Sequence, residues 1–226
     1  ASADTVATFE LIPRIGFDLA LKHMPDTVDP LTSAHEWYAL IEFESGENGS
    51  GLGAVMEGYL AAALKDGLVV DAVVAQSEAQ RQQMWFIREA MVLAQAPEGA
   101  SIKNDISVPI SKVPEFIRRA DKAAIALCPG VRPVAFGHIG DGNVHYNLQA
   151  PVGADDAAFL ARWDELTEAV VDIVRDLGGS FSAEHGIGLL KVRELADFKS
   201  ALEMDLMRTV KSALDPKGLM NPGKVL

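Results

Sequence analysis

Cysteine is almost missing: Cys128 is the only one in 226 residues. No internal disulfide can form, and no CxxC pair exists to bind metal or cycle electrons. A reducing compartment, here the cytoplasm, is the expectation. Cys128 stands between Leu127 and Pro129 at the end of an apolar run, a setting for a buried inert thiol rather than a nucleophile. Basic residues are also scarce, 20 against 32 acidic, and the formal net charge of -12 excludes a nucleic-acid-binding face and disfavours an anionic membrane surface. An anionic small substrate stays possible, because a local Arg/Lys pocket can dominate the field inside a cleft. No run approaches the ~20 apolar residues that span a bilayer. The first residues lack the basic then apolar pattern of a secretory signal. The chain opens Ala1-Ser2-Ala3-Asp4 and soon enters a patterned segment from Phe9 to Leu21, which fits an internal fragment at least as well as a trimmed start. HExxH and GxSxG do not occur, so the local zinc-protease and serine-esterase signatures are missing.

Apolar residues make up 49% of the chain, enough for a substantial core. Strand-like and helix-like segments alternate. Trp37 to Phe43, Val69 to Ala75, Ile106 to Val108, Val131 to Phe136 and Val144 to Leu148 are short and rich in β-branched or aromatic residues, the composition of strands. Helical spacing covers Pro13 to Lys22, Gly51 to Lys65, Glu78 to Ala94 and Lys112 to Leu127. It is clearest from Ala154 to Leu177, where Phe159, Trp163, Leu166, Val170, Val174 and Leu177 recur at steps of three and four. Gly178-Gly179 closes that helix, and shorter ones follow at Leu189 to Leu195 and Met204 to Leu214. The strands are half-polar rather than continuously apolar, which favours an antiparallel sheet. The expected architecture is α+β: a large antiparallel sheet with helices on one face over residues 1–178, then a small helical segment over 179–226. Gly46 to Gly53 is read as a loop, either plain turn or functional lid.

Chemistry gathers in two glycine-rich stretches. The first is Gly137-His138-Ile139-Gly140-Asp141-Gly142-Asn143-Val144-His145-Tyr146-Asn147. Asp-Gly between two strand-like runs signals a hairpin, since Gly accepts the positive φ of a primed turn. A turn centred on Asp141-Gly142 sets Gly140 opposite Asn143, Ile139 opposite Val144 and His138 opposite His145, with opposed Cβ atoms about 4.5–5.5 Å apart. Two imidazoles at that spacing reach one metal ion, and Asn147 shares their face. Taken alone, the pair fits a metal site and two exposed surface histidines equally well. The second stretch, Ser182-Ala183-Glu184-His185-Gly186-Ile187-Gly188, sets a carboxylate beside an imidazole in a loop suited to presenting side chains. Three of the five histidines thus fall in two short segments with a glutamate beside one of them. Two histidines and a carboxylate are a common ligand set for Zn²⁺ or a similar ion with positions left open for substrate. Gly186-x-Gly188 is not a dinucleotide loop, because Lys191 holds the third glycine position and a loop precedes it.

GHIGDGNVH, SAEHGIG and the terminal LDPKGLMNPGKVL together resemble the C-terminal domain of FAD-linked oxidases of the vanillyl-alcohol-oxidase superfamily, within it most of all the bacterial D-2-hydroxyglutarate and D-lactate dehydrogenases. The similarity runs from Phe9-Glu10-Leu11 through Trp85-x-x-Arg88-Glu89 and Lys103-x-Asp105-Ile106-Ser107 to the last residue. The resemblance implies an α+β cap laid over a flavin ring, with FAD held mainly by an N-terminal domain that these residues do not include. It implies His138, His145 and Glu184 as ligands of a divalent metal, zinc or else manganese or cobalt, and His185 as the base facing substrate. Arg88, Lys103 and Asn147, with His185, match substrate-binding positions, and Asn221 matches a tail that approaches the flavin. Val92 stands where some hydroxyglutarate-type relatives carry a hydroxyl, which leaves the substrate open.

The implied activity is oxidation of a 2-hydroxy acid to the 2-oxo acid with hydride transfer to FAD, by a chain that cannot turn over alone. D-2-hydroxyglutarate is the expected substrate, because Arg88 and Lys103 are surplus to a monocarboxylate whose carboxylate and hydroxyl already meet the metal. D-lactate and glycolate are the alternatives. Taken alone, Arg88 and Lys103 read as solvated surface charges. Two readings of other classes use the same ligand set: a metal-dependent hydrolase, and a non-catalytic metal-binding module.

Overall fold

The computed structural model describes residues 6–45 and 51–226. It opens on a strand that the hydrophobic pattern does not single out, β1 (Val6–Pro13), whose alternation is blurred because Glu10 is buried among apolar neighbours. Helix α1 (Arg14–His23), β2 (Trp37–Phe43), α2 (Leu52–Lys65), α3 (Glu78–Ala94), β3 (Ser101–Ser107), α4 (Val113–Leu127), β4 (Arg132–His138) and β5 (Asn143–Gln149) follow. The chain then runs through α5 (Asp156–Leu160), α6 (Trp163–Asp176), α7 (Val192–Phe198) and α8 (Ala201–Leu214). The five strands form one sheet in the order β2-β1-β4-β5-β3, with every neighbour antiparallel. The α+β class and the antiparallel sheet are as expected.

Several expectations need correction. Val69 to Ala75 forms no strand among the described residues, and Val70 and Val73 face solvent. β-branched composition makes a strand only where a partner edge accepts it. Ala154 to Leu177 is two helices rather than one. The backbone tightens at Arg162, whose N–H bonds Phe159 O at 3.0 Å, while its guanidinium caps Leu127 O at the end of α4 at 2.9 Å. Of the loop Gly46 to Gly53, residues 46–50 lie outside the described ones, and Gly53 is already helical.

Side chains alternate across the sheet, so each face has its own core. Ile102, Ile106, Ala135, Val144, Tyr146 and Leu148 pack against α4 and α6 through Phe116, Ile117, Leu166, Val170 and Val174. On the opposite face Ile12, Val134 and Phe136 meet α1 and α3 through Phe17, Ala20, Ile87 and Met91. Helices therefore cover both faces, not one; the periodicity that marks an amphipathic stripe does not say which side of a sheet it will choose. Toward β3 this second face turns polar, carrying Lys103, Asp105, His145 and Asn147 in place of apolar residues.

The C-terminal segment has a small cluster of its own, Phe181, Leu195 and Met204, docked on Val171 of α6. It is anchored where Ser180 exchanges two backbone hydrogen bonds with Ser107 at the end of β3, 2.9 and 2.8 Å long. Gly179 makes that approach possible, since a Cβ there would lie 2.1 Å from Ser107 O. No helix among the described residues is long and apolar enough to cross a membrane.

Glu98 ties the end of α1 to β4. Its carboxylate lies 2.6 Å from Lys22 Nζ, His23 Nε2 and Arg132 Nη1, and the Lys22 contact first, then those of His23 and Arg132, hold its pKa down at about 2 against an ordinary 4.5. A folded value below the unfolded one means that this stabilisation is complete above about pH 5 and fades as pH falls toward the folded value. Glu98→Gln should therefore lower the melting temperature most near neutral pH, and the gap to the wild type should close on acidification. Thermal unfolding followed at a series of pH values checks this.

Candidate metal and substrate site

The β4–β5 hairpin turns through four residues, Ile139 to Gly142, rather than two. Asp141 N–H bonds His138 O and Gly142 N–H bonds Ile139 O, each at 3.3 Å, while Asp141 Oδ1 accepts from Asn143 N at 3.0 Å. The register sets Phe136, not His138, opposite His145, and Val134 opposite Asn147. A shift of two residues preserves the face, because side chains alternate with period two. His138 is thus a diagonal neighbour of His145, with ring centroids 5.9 Å apart and planes at 77°. The turn is shaped by a third segment: Gly142 has φ +81°, its carbonyl accepts from Val108 N at 3.1 Å, and a Cβ on it would sit 2.0 Å from Val108 O. Nothing local to the hairpin announces that contact.

β3 places Asp105 opposite His145 and Lys103 opposite Asn147. Asp105 is buried, and its Oδ2 accepts three consecutive backbone N–H groups of the second motif: Ala183 at 3.1 Å, Glu184 at 2.9 Å and His185 at 2.8 Å. Burial pushes its pKa up, but the His185 and Glu184 amides, with the charges of His185 and Lys191, outweigh that and leave it below the ordinary carboxylate value. Lys191 braces the same loop from below, donating to Ser182 Oγ at 3.1 Å and Phe181 O at 3.3 Å, and burial draws its pKa down. Held in this way, Glu184 brings Oε1 to 2.9 Å from His145 Nε2, and the His185 ring stacks on that of His145 at 5.5 Å. Burial lowers the His145 pKa, with Glu184 opposing.

Asp105, His145, Glu184 and His185 each offer one ligand atom, all within 4.8 Å of one another. Donors on one ion at 2.0–2.2 Å stand at most about 4.4 Å apart, so small side-chain rotations would gather them. Asp105 Oδ1 favours a cation further: it is buried, makes no hydrogen bond, and lies 4.0 Å from His145 Nδ1. The structure thus brings His145, Glu184 and His185 together and adds Asp105. His138 lies beside this group rather than in it, with Nδ1 2.6 Å from Glu10 Oε1. Arg88 reaches the same face from α3; its Nε donates to Glu10 Oε2 at 2.6 Å and its guanidinium lies over the Phe136 ring at 4.9 Å. The expectation of two uncompensated cations is corrected accordingly, since Glu10 pairs with Arg88 and only Lys103, exposed on its strand, has no ion pair among the described residues. Asn147 is buried and donates to Gln95 Oε1 at 2.9 Å. Asn221 sits in an exposed tail at φ +46°, and that tail returns to the second motif where Val225 N–H bonds Gly188 O at 2.9 Å. Val92 is half-exposed on α3.

Sequence reasoning assigned no role to Glu10 or Gln95 and did not place Asp105 at the site. Asp105 lies two residues beyond Lys103, hence on the same strand face, and Glu10 is a lone acid inside an apolar strand. Both signals were present in the residues.

Residues 1–225 match the model of the family described as FAD linked oxidases, C-terminal domain. The chain belongs to that family. It is 38% identical over 210 residues to a protein of Xanthomonas citri pv. viticola named D-2-hydroxyglutarate dehydrogenase, an alignment covering 92% of this chain and 44% of that protein. A protein of the same name from Stutzerimonas stutzeri is 37% identical, over 88% of this chain and 42% of its own length. The mitochondrial D-2-hydroxyglutarate dehydrogenase of Arabidopsis thaliana is 33% identical, over 99% and 38%. The chain therefore spans less than half the length of these relatives. Among solved structures, 4-ethylphenol oxidase from Gulosibacter chungangensis shares the fold with a TM-score of 0.58 at 15% identity, over 96% of this chain and 47% of that one.

Removing the Asp105 carboxylate would leave the Glu184 and His185 amides without their acceptor, while Ala183 N–H keeps Asp105 O at 3.3 Å, at a cost of about 1–3 kcal/mol of local stability. In Asp105→Ala, the Glu184 and His185 amides should exchange with solvent at least ~10-fold faster than in the wild type, while Asp105→Asn, which keeps an acceptor oxygen, falls between. Amide hydrogen exchange reads this residue by residue, and unchanged rates in both variants would show that the loop is held by other contacts.

Proposed function

We propose that the chain is the substrate- and metal-binding part of a flavin-dependent dehydrogenase that oxidises a D-2-hydroxy acid, D-2-hydroxyglutarate foremost, to the 2-oxo acid. The observation that carries this reading is the gathering of Asp105, His145, Glu184 and His185, with, among them, a buried carboxylate oxygen that makes no hydrogen bond, beside Lys103 and Arg88. The relatives' names agree with it. A divalent cation, zinc in the first place and manganese or cobalt otherwise, would be held by His145 and Glu184, with Asp105 Oδ1 and His138 at hand. When bound, it acidifies a hydroxyl placed against it. FAD, held mainly by the part of the longer relatives that this chain does not span, supplies the hydride acceptor when bound. Asn221, in the tail, is the residue proposed to approach it.

The chain's own residues orient the substrate and handle its proton. His185 is the most exposed member of the group, with 62% of its side chain accessible, so it is the one that meets a ligand and takes the hydroxyl proton on its ring. Asp105 carries no proton in this scheme; it holds the 183–185 backbone and, through it, the direction of His185. Lys103 and the Arg88 guanidinium line the same face, and the two terminal nitrogens of Arg88 make no hydrogen bond among the described residues. A second carboxylate on the substrate fits these groups: Arg offers a planar fork and Lys a point charge. Asn147 shares the strand face and contributes through its amide. One observation favours a monocarboxylate instead: a Schizosaccharomyces pombe protein named putative D-lactate dehydrogenase is 31% identical over 98% of this chain.

His185→Asn should lower turnover of the flavin-loaded protein by ~10²–10⁴ while leaving about one bound zinc per chain, the pattern of a positioned base. His145→Ala should lose the metal. Elemental analysis beside steady-state kinetics separates the roles, and loss of zinc in His185→Asn would make that residue a ligand.

Lys103→Ala should cut kcat/KM for D-2-hydroxyglutarate at least ~10-fold and spare D-lactate, as expected for a charge-assisted contact of about 1.5–3 kcal/mol to a distal carboxylate. Equal losses on both substrates, measured side by side, would remove the dicarboxylate from the reading.

A further inference from the structure

Glu10, like Asp105, is an acid buried inside a strand. It lies in the middle of β1, only 2% exposed, between Phe9 and Leu11, and both of its oxygens are taken. Oε2 receives Arg88 Nε at 2.6 Å, and Oε1 stands 2.6 Å from His138 Nδ1. β1 and β4 fix this arrangement in the backbone, since Glu10 and His138 are register partners. A carboxylate that accepts from a guanidinium on one oxygen has only acceptors to offer on the other, so the hydrogen in the second contact belongs to the imidazole. In its neutral form the His138 ring then carries its proton on Nδ1 and keeps its lone pair on Nε2. A histidine ligates a cation only through a nitrogen with a lone pair, and a carboxylate on the opposite nitrogen both selects that tautomer and raises the basicity of the ligating one.

We propose that Glu10 is a positioning residue that locks His138 as the Nδ1–H tautomer, leaving Nε2 to bind a divalent cation, and that it couples this ring to Arg88 by sharing one carboxylate between them. The metal half of this statement rests on the site reading given above, whereas the tautomer half does not. A neutral amide in place of the carboxylate reverses the ring. In Glu10→Gln, the side-chain oxygen stays with the Arg88 donor, the NH₂ group turns to His138 Nδ1, and the ring must move its proton to Nε2, which removes the lone pair. The same change leaves Arg88 without its counter-charge, so the two halves of the face are disturbed together.

The test is a long-range ¹H–¹⁵N correlation spectrum of the histidine rings in the metal-free 226-residue chain, with His138 assigned by its absence in His138→Gln. It is combined with a zinc titration of wild type and Glu10→Gln. The expected result is an Nδ1–H ring in the wild type, an Nε2–H ring in Glu10→Gln, and a zinc affinity 10–100-fold weaker in the variant. An Nε2–H ring in the wild type overturns the proposal without any variant, so failure of Glu10→Gln to fold does not protect it. Unchanged tautomer and zinc affinity in a folded Glu10→Gln overturn it as well. A reversed tautomer with unchanged zinc affinity overturns the link from Glu10 to the metal. A wild type that shows the Nδ1–H ring yet binds no zinc leaves the lock standing and removes the metal-site reading instead.

Discussion

One buried carboxylate organises the whole site. Asp105 Oδ2 collects three consecutive amides, and in doing so it fixes the backbone of a loop that has neither helix nor strand to hold it. Three N–H groups converging on one anion make a nest that suits negative charge, and the anion is correspondingly favoured in its ionised form. Because Glu184 and His185 hang from that same backbone, their direction is inherited from Asp105. The C-terminal half of the site is thereby joined to the sheet through one side chain, the Ser107–Ser180 bridge and the glycine that allows it.

The second face of the sheet then holds an unusual concentration of polar groups for a packed layer. Glu10, Arg88, Asn147, Gln95 and Asp105 are all buried there, and Glu10, Arg88, Asn147 and Gln95 are bonded to one another in two pairs. Buried ion pairs of this kind add little to stability after desolvation and are expensive to break by halves. Their value lies in geometry: each fixes a rotamer next to a residue that has to point in one direction. The apolar work is done elsewhere, by α4 and α6 on the opposite face and by α1 and α3 beside the polar corner. The acidic surface implied by the net charge does not contradict an anionic ligand, because the cations that would meet it stand on this face, Arg88 buried and Lys103 exposed beside the carboxylates.

The sequence by itself determined most of the helices and the antiparallel character of the sheet, since both follow from periodicities that burial imposes on every segment independently. It also marked out candidate residues for the chemistry. His138, His145, Glu184 and His185 stand out by type and glycine context, and the two-residue slip in the hairpin leaves His138 on the face of His145, because alternation keeps that face in either register. The strand β1 was hidden for a physical reason: its buried glutamate breaks the apolar alternation that strands are recognised by, and that same glutamate contacts both His138 and Arg88.

Only the tertiary structure decided which of those residues gather within a few ångströms and which merely adjoin the group. Asp105 and the 183–185 amides are separated by nearly eighty positions, and Glu10 and His138 by more than a hundred, so no local pattern can carry their pairing. The same holds for Arg88, whose charge is free or paired depending on a strand that precedes it by 78 residues. A residue's type and its immediate neighbours fix what chemistry it can offer. Which partner takes its lone pair or its proton is settled by chain segments that meet only once the sheet has closed around them.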